Sequence, residues 1–214
     1  MRNVAIMGNG PTDVLPDLSR YTDFVDYWIG ADRGALTLIE NDVALDLAIG
    51  DFDSVSSFEI EKIKRKAFQF EQYPIEKDKT DVEIALDEAM KQKPDTIYFF
   101  GVTGGRMDHT LINIQLLHQV ISKKARGIVI DKHNEVELTN PGHYTIEQDS
   151  AYETISFIPF TPVVKGLTLT DFYYPLKKAT ITMGSTLSIS NKLISNNGTF
   201  SYDEGIVLVV KSRD

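Results

Sequence analysis

Cysteine is absent from the sequence. Disulfides and thiolate metal sites are therefore excluded, and such usage fits a reducing cytoplasm. No apolar run approaches the ~20 residues that span a bilayer, so no membrane partner is expected. The N-terminus, Met1-Arg2-Asn3-Val4-Ala5-Ile6-Met7-Gly8, carries one basic residue and then a short apolar run. It reads as a first strand rather than a signal peptide. Positive charge is also scarce: 22 Lys and Arg stand against 31 Asp and Glu, for a net charge of −9. That balance argues against a nucleic-acid partner. A small polyanionic substrate remains possible if a cation and a few local Lys or Arg offset its charge. Two phosphate-binding signatures are missing as well. Gly8-Asn9-Gly10-Pro11 lacks the third glycine of a dinucleotide fingerprint, and no Gly-Lys-Ser/Thr loop occurs. Any nucleotide must be held by other means.

What is present centres on Leu47-Ala48-Ile49-Gly50-Asp51-Phe52-Asp53-Ser54. An apolar run ends in glycine, and two carboxylates follow at i and i+2. Such a run reads as a buried strand with its end at the glycine. Two carboxylates leaving a strand can point at one hard cation, and Mg²⁺ is commonly held by one or two carboxylates plus substrate phosphates. The plainer alternative is a loop in which either aspartate bonds its own backbone.

Other stretches repeat this arrangement. Tyr27-Trp28-Ile29-Gly30 reads as a strand running into Ala31-Asp32-Arg33-Gly34 and a helix through Leu36, Leu38 and Ile39. Asp32 there is either a helix N-cap or a group that orients substrate, with Arg33 able to reach a phosphate. Ser54 to Phe68 reads as a helix with Phe58, Ile60, Ile63 and Ala67 on its apolar side. Thr80 and Glu83 have capping-box spacing at the start of another helix. That cap does not explain Lys77, Asp78, Lys79 and Asp81 beside it; helix N-termini attract phosphate, and a carboxylate there can complete a cation site. The strand Thr96–Val102 leads into Gly104-Gly105-Arg106-Met107-Asp108-His109. Paired glycines let backbone approach a phosphate, and Arg106 supplies a fixed-charge fork. The following helix carries Leu111, Ile114, Leu117, Val120 and Ile121 at helical spacing.

Strands and helices thus alternate to about residue 131, which implies a mostly parallel sheet with helices on both faces. Ligands of such sheets bind beyond the carboxyl ends of the strands, where Asp32, Asp51, Asp53 and Arg106 gather. From residue 132 onward the pattern changes to short alternating runs: Glu135–Leu138, Tyr144–Ile146, Ile155–Ile158, Leu167–Leu169, Ala179–Thr182, Leu187–Ser190 and Ile206–Val210. Turn signals at Asn140-Pro141-Gly142, Asn197-Gly198 and Asp203-Glu204-Gly205 separate them. This is the grammar of an all-β sandwich, so two domains are expected, 1–131 and 132–214.

Five motifs occur in order: Gly30-Ala-Asp-Arg-Gly34, Gly50-Asp-Phe-Asp-Ser54, Lys77-Asp-Lys-Thr-Asp81, Gly104-Gly-Arg-Met-Asp-His109 and, in the β tail, Ser190-Asn191. Together they resemble bacterial thiamine pyrophosphokinase over nearly the whole chain. The resemblance implies an α/β domain that binds ATP and Mg²⁺, a β-sandwich domain that binds thiamine, and a homodimer with sites between subunits. It implies transfer of pyrophosphate from ATP to thiamine, giving thiamine diphosphate and AMP. Asp51, Asp53, Asp78 and Asp81 would form the catalytic set, with Asp51, Asp53 and Asp78 as Mg²⁺ ligands. Asp32, Arg33, Lys79, Thr80, Arg106, Asp108 and His109 fall in the ATP motifs, and Ser188, Ser190 and Asn191 on the thiamine side. Asp78, Asp81 or Asp108 would accept the hydroxyl proton. Some members stack thiamine on a tryptophan of the β domain. The only Trp here is Trp28, in the α/β half, leaving Phe200 and Tyr202 as candidates for that contact. A metal-dependent glycosyltransferase would explain the Asp51/Asp53 pair without the β domain, and a non-catalytic sensor would not need so many carboxylates at one rim.

Overall fold

The computed structural model describes residues 1–213. The chain divides into two compact units, Met1–Lys132 and a second that begins at His133. No helix among the described residues is long and apolar enough to cross a membrane.

The first unit contains strands β1 (Asn3–Met7), β2 (Tyr27–Ala31), β3 (Leu47–Gly50), β4 (Gln69–Gln72), β5 (Thr96–Phe100) and β6 (Arg126–Ile130). They pair side by side in the order β4-β3-β2-β1-β5-β6, and every pairing is parallel. The apolar runs suit this placement, because parallel strands are buried on both faces. Helices α1 (Gly34–Glu40), α2 (Ser57–Lys66), α3 (Asp81–Lys91) and α4 (Met107–Ser122) connect them. Ala5, Met7, Trp28, Ala48, Phe100 and Ile128 pack in one cluster with Leu36 and Leu38 of α1 and Ile63 of α2. Side chains alternate along a strand, so Val4, Ile6, Ile29 and Phe99 point the other way. There α3 lies against β1 to β3 and α4 against β6. Both faces are therefore covered.

Several local readings change. Gln69–Gln72 forms the edge strand β4, which its polar sequence hides, because only Phe70 is half-buried there. Helix α2 begins at Ser57, not Ser54; Ser56 and Glu59 form its capping box. Phe58 is exposed rather than packed, as is Leu111 of α4. At α3, Thr80 accepts the Glu83 amide at 3.2 Å, but the Glu83 carboxylate turns to the Gln119 amide at 3.3 Å instead of closing the box.

The second unit contains β7 (Asn134–Thr139), β8 (Gly142–Glu147), β9 (Thr154–Pro159), β10 (Val163–Thr170), β11 (Leu176–Thr182), β12 (Asn197–Tyr202) and β13 (Val207–Ser212). Strands β7-β13-β9 pair antiparallel, as do β11-β10-β12-β8. Ile155 and Phe157 from β9 and Val207 and Val209 from β13 share one core with Val164, Leu167, Phe200 and Tyr202. The two groups of strands thus face each other as a sandwich. Two expectations fail here. Leu187–Ser190 is a run of turns, in which Ser190 takes the left-handed φ of 54°. Asn197-Gly198 opens β12 rather than turning the chain.

Candidate active site

The ends of β2 and β3 bring three carboxylates together. The Asp32 amide donates to the Ile49 carbonyl at 2.8 Å, so the β2–β3 ladder runs one residue past β2. Asp32 holds φ at 51°. Gly50 approaches it so closely that a Cβ at position 50 would lie 3.0 Å from the Asp32 nitrogen. Beyond Gly50 the chain turns through Phe52, whose φ of 59° is left-handed. Its ring is 2% exposed and stacks on Phe70 at 4.8 Å. With Phe52 pinned inward, Asp51 and Asp53 flank it on the outside, and the Asp53 amide donates to Asp51 Oδ1 at 3.1 Å. One carboxylate oxygen from each of Asp32, Asp51 and Asp53 lies within 4.8 Å of the others. The Asp32 carboxylate does not cap α1. Its Oδ2 accepts the Ser54 hydroxyl at 2.6 Å, and its buried Oδ1 has no hydrogen-bond partner.

Lys77 supplies the nearest positive charge. Its ammonium donates to Asp51 Oδ2 and forms an ion pair with Asp81 Oδ1 at 3.2 Å. Burial raises the Asp51 carboxyl, but the hydrogen bonds from Lys77 and the Asp53 amide, with the Lys77 charge, outweigh it and hold Asp51 below the usual range. Asp81 goes the other way. Burial pushes it up, Lys77 only partly offsets this, and the negative charges of Asp51 and Asp32 add to the rise.

A cleft of about 300 Å³ opens beside this group. Asp32 lines it, together with Thr80 and Asp81 at the start of α3 and Arg106 and His109 at the start of α4. Arg106 is exposed and grips Asp108 in a two-point contact, Nε to Oδ1 at 3.1 Å and Nη2 to Oδ2 at 2.5 Å. Hydrogen bonding and charge from Arg106 outweigh the opposing effect of burial and keep Asp108 below the usual range. In the second unit, Ser188 is buried and donates to the Phe157 carbonyl at 2.6 Å. The Asn191 side chain holds Tyr174 at both backbone groups, accepting its amide at 3.0 Å and donating to its carbonyl at 2.8 Å. Ser190 is exposed, and its amide donates to the Ser156 hydroxyl.

The model of the thiamin pyrophosphokinase catalytic domain matches residues 18–130, and that of the thiamin pyrophosphokinase vitamin B1 binding domain matches residues 143–207. A thiamine pyrophosphokinase from Bacillus subtilis is 45% identical over 214 residues, covering all of both chains. The chain belongs to the thiamine pyrophosphokinase family. A crystal structure of a thiamine pyrophosphokinase from Bacillus subtilis superposes with a TM-score of 0.94, at 44% identity and over all of both chains. A crystal structure of a thiamin pyrophosphokinase from Geobacillus thermodenitrificans gives 0.89 at 42% identity, over 99% of this chain and 98% of that one.

For a thiamine pyrophosphokinase the carboxylates fit a hard divalent cation. The donors are all oxygens, as such cations prefer, and Asp32 Oδ1 is a buried acceptor with no donor, which a cation would satisfy. The third carboxylate brought to Asp51 and Asp53 is Asp32, which sequence reasoning placed among the ATP residues. Asp78 is exposed and stands outside that group. Arg33 is turned to α2, with its guanidinium on the Ser54 carbonyl at 3.2 Å and Glu59 at 3.3 Å. Lys79 runs along α3 to Asp87 at 2.5 Å. Lys77, two residues earlier, is the one that reaches inward. Phe200 and Tyr202 are buried in the sandwich core, and the Tyr202 hydroxyl is spent on Thr139, so neither offers a ring face. Sequence reasoning also passed over Asn9 and Asn113, which line the cleft. The only hint for Asn113 was one polar residue on the apolar side of α4; it donates to the Val102 carbonyl at 2.9 Å.

Proposed function

We propose that the chain transfers the pyrophosphoryl group of ATP to the hydroxyl of thiamine, giving thiamine diphosphate and AMP. Family membership supports the activity. The observation that carries the residue assignment is the meeting of Asp32, Asp51 and Asp53, of which Asp32 lines a cleft together with Arg106, Thr80 and Asp81. The thiamine oxygen bonds to the β-phosphorus, the bond from that phosphorus to the oxygen bridging to the α-phosphorus breaks, and AMP leaves with that oxygen. Such chemistry needs positioning and charge neutralisation more than covalent catalysis. Mg²⁺, held by Asp51 and Asp53 with Asp32 or Asp78, would supply charge neutralisation at the phosphate oxygens.

The chain's own groups do the rest. Arg106 trades its exposed pairing with Asp108 for phosphate oxygens, a bidentate geometry the guanidinium suits. The N-termini of α3 and α4 direct backbone amides at the cleft. Asp81 takes the hydroxyl proton in this reading: it lines the cleft, and burial holds its carboxyl above the ordinary range, nearer to a working base. Asp108 and Asp78 are exposed and do not line the cleft. The second unit takes thiamine, where Ser188 and Asn191 hold the loop backbone and Ser190 is free to meet ligand. The protein is a cytoplasmic homodimer in this reading; the exposed Met107, Leu111 and Ile112 on α4 supply an apolar surface for a second copy.

The test is product identity. Protein incubated with ATP, Mg²⁺ and thiamine should release AMP only when thiamine is present, with equimolar thiamine diphosphate. ADP with thiamine monophosphate would overturn the β-phosphorus assignment. Asp53→Asn, at an exposed position, should keep the fold and lose turnover by about 100-fold or more, the scale for removing a group that stabilises transition-state charge.

A further inference from the structure

We infer that Lys77 is an internal counterion for the carboxylate group: it occupies Asp51 and Asp81 while no divalent cation is bound, and an entering cation must displace it. This rests on the reading that Asp51 and Asp53 hold a divalent cation. Both Asp51 oxygens are already engaged. Oδ1 accepts the Asp53 amide, and Oδ2 accepts the Lys77 ammonium. A metal on Oδ2 would share that oxygen with the Lys77 ammonium, and the repulsion between the two cations drives Lys77 off it.

The charge balance favours exchange of the ammonium for a divalent cation. Asp32, Asp51, Asp53 and Asp81 present four carboxylates to one ammonium, and Asp32 Oδ1 still lacks any donor. Lys77 thus meets part of the demand, and a cation of higher charge meets more of it. The Lys77 side chain is 14% exposed, whereas Lys79 is turned out to Asp87. An ammonium on a flexible four-carbon stem can withdraw into solvent more readily than a planar fork bound at two points. Lys77 is accordingly a positioning residue. It keeps the acidic end of the cleft assembled without metal and releases it when metal arrives.

The probe is Mn²⁺, titrated into nucleotide-free protein and followed by loss of the free-ion spin-resonance signal. Lys77→Met and, as a second variant, Lys77→Gln should bind Mn²⁺ about tenfold tighter than the parent, because one competing charge is removed from a partly buried site. Lys77→Arg should bind no tighter than the parent. The neutral variants should also unfold at lower temperature without Mn²⁺ and gain more on its addition. Asp53→Asn should weaken binding in every background. Mn²⁺ binding that depends on Asp53 yet is unchanged or weakened by the neutral Lys77 variants would overturn the inference and leave the cation site standing. Binding indifferent to Asp53→Asn would overturn the cation site and the inference with it.

Discussion

Phe52 combines two opposing demands, and glycine and alanine substitutions separate them. Its backbone is left-handed at φ 59°, while its ring is buried against Phe70. Removing the ring should cost about 3–5 kcal/mol, the range for Phe→Ala in cores. Alanine keeps the backbone penalty, which is about 1–2 kcal/mol for a residue with a Cβ. Glycine escapes that penalty but adds about 0.5–1 kcal/mol of chain entropy lost on folding. Phe52→Gly should therefore be more stable than Phe52→Ala, by up to about 1.5 kcal/mol, although it removes one carbon more. Urea unfolding followed by fluorescence measures this. Trp28 is the only tryptophan and is buried in the first unit, stacked on Phe100 at 5.8 Å, so the signal reports that unit. Phe52→Ala equal to or more stable than Phe52→Gly would refute the claim that the fold imposes this conformation.

Two further predictions concern stability. Gly34→Ala would place a Cβ 2.1 Å from the Met7 carbonyl oxygen, so a change that usually favours a helix should here cost about 3 kcal/mol, the upper end for overpacking, read as a drop in unfolding temperature. Tyr202 is pushed well above the usual tyrosine range by burial, with the Thr139 hydrogen bond only partly opposing. The unfolded residue ionises near pH 10, so its contribution is whole below about pH 10 and falls as the pH rises further. Tyr202→Phe should be less stable at pH 8, by about 1 kcal/mol for the lost hydrogen bond, yet lose less stability between pH 9.5 and about pH 11.5. Urea midpoints at the three pH values check both parts. Tyr27, Tyr73 and Tyr144, also raised chiefly by burial, keep some alkaline slope in the variant.

The parallel sheet was legible because strands buried on both faces must be apolar throughout, as in Val4–Met7 and Ile97–Phe100. Strand β4 was not, since an edge strand needs no apolar pattern and Gln69–Gln72 has none. Leu187–Ser190 alternates like a strand, but its side chains serve a loop: Ser188 is tied to Phe157 and Ser190 is left-handed. At the site, Asp32, Asp51 and Asp53 were readable as residues following strand ends. That they share one cation-sized space depends on Phe52 turning inward, which spacing does not reveal. Lys77 and Lys79 illustrate the remaining difficulty. No periodicity governs a loop, so nothing in Lys77-Asp78-Lys79 indicates which ammonium faces the carboxylates.

The hydrogen bond from the Asp32 amide to Ile49 gives the site a readout that needs no substrate. That proton sits on a buried residue at the end of a sheet ladder, so it can exchange with deuterium only when β2 and β3 part locally. Its exchange rate therefore reports the free energy that keeps the three carboxylates assembled. Any ligand that binds only the assembled form must slow this one amide by a factor set by its concentration and affinity. Each ligand's coupling to the carboxylate group can thus be weighed, one ligand at a time, before any turnover occurs.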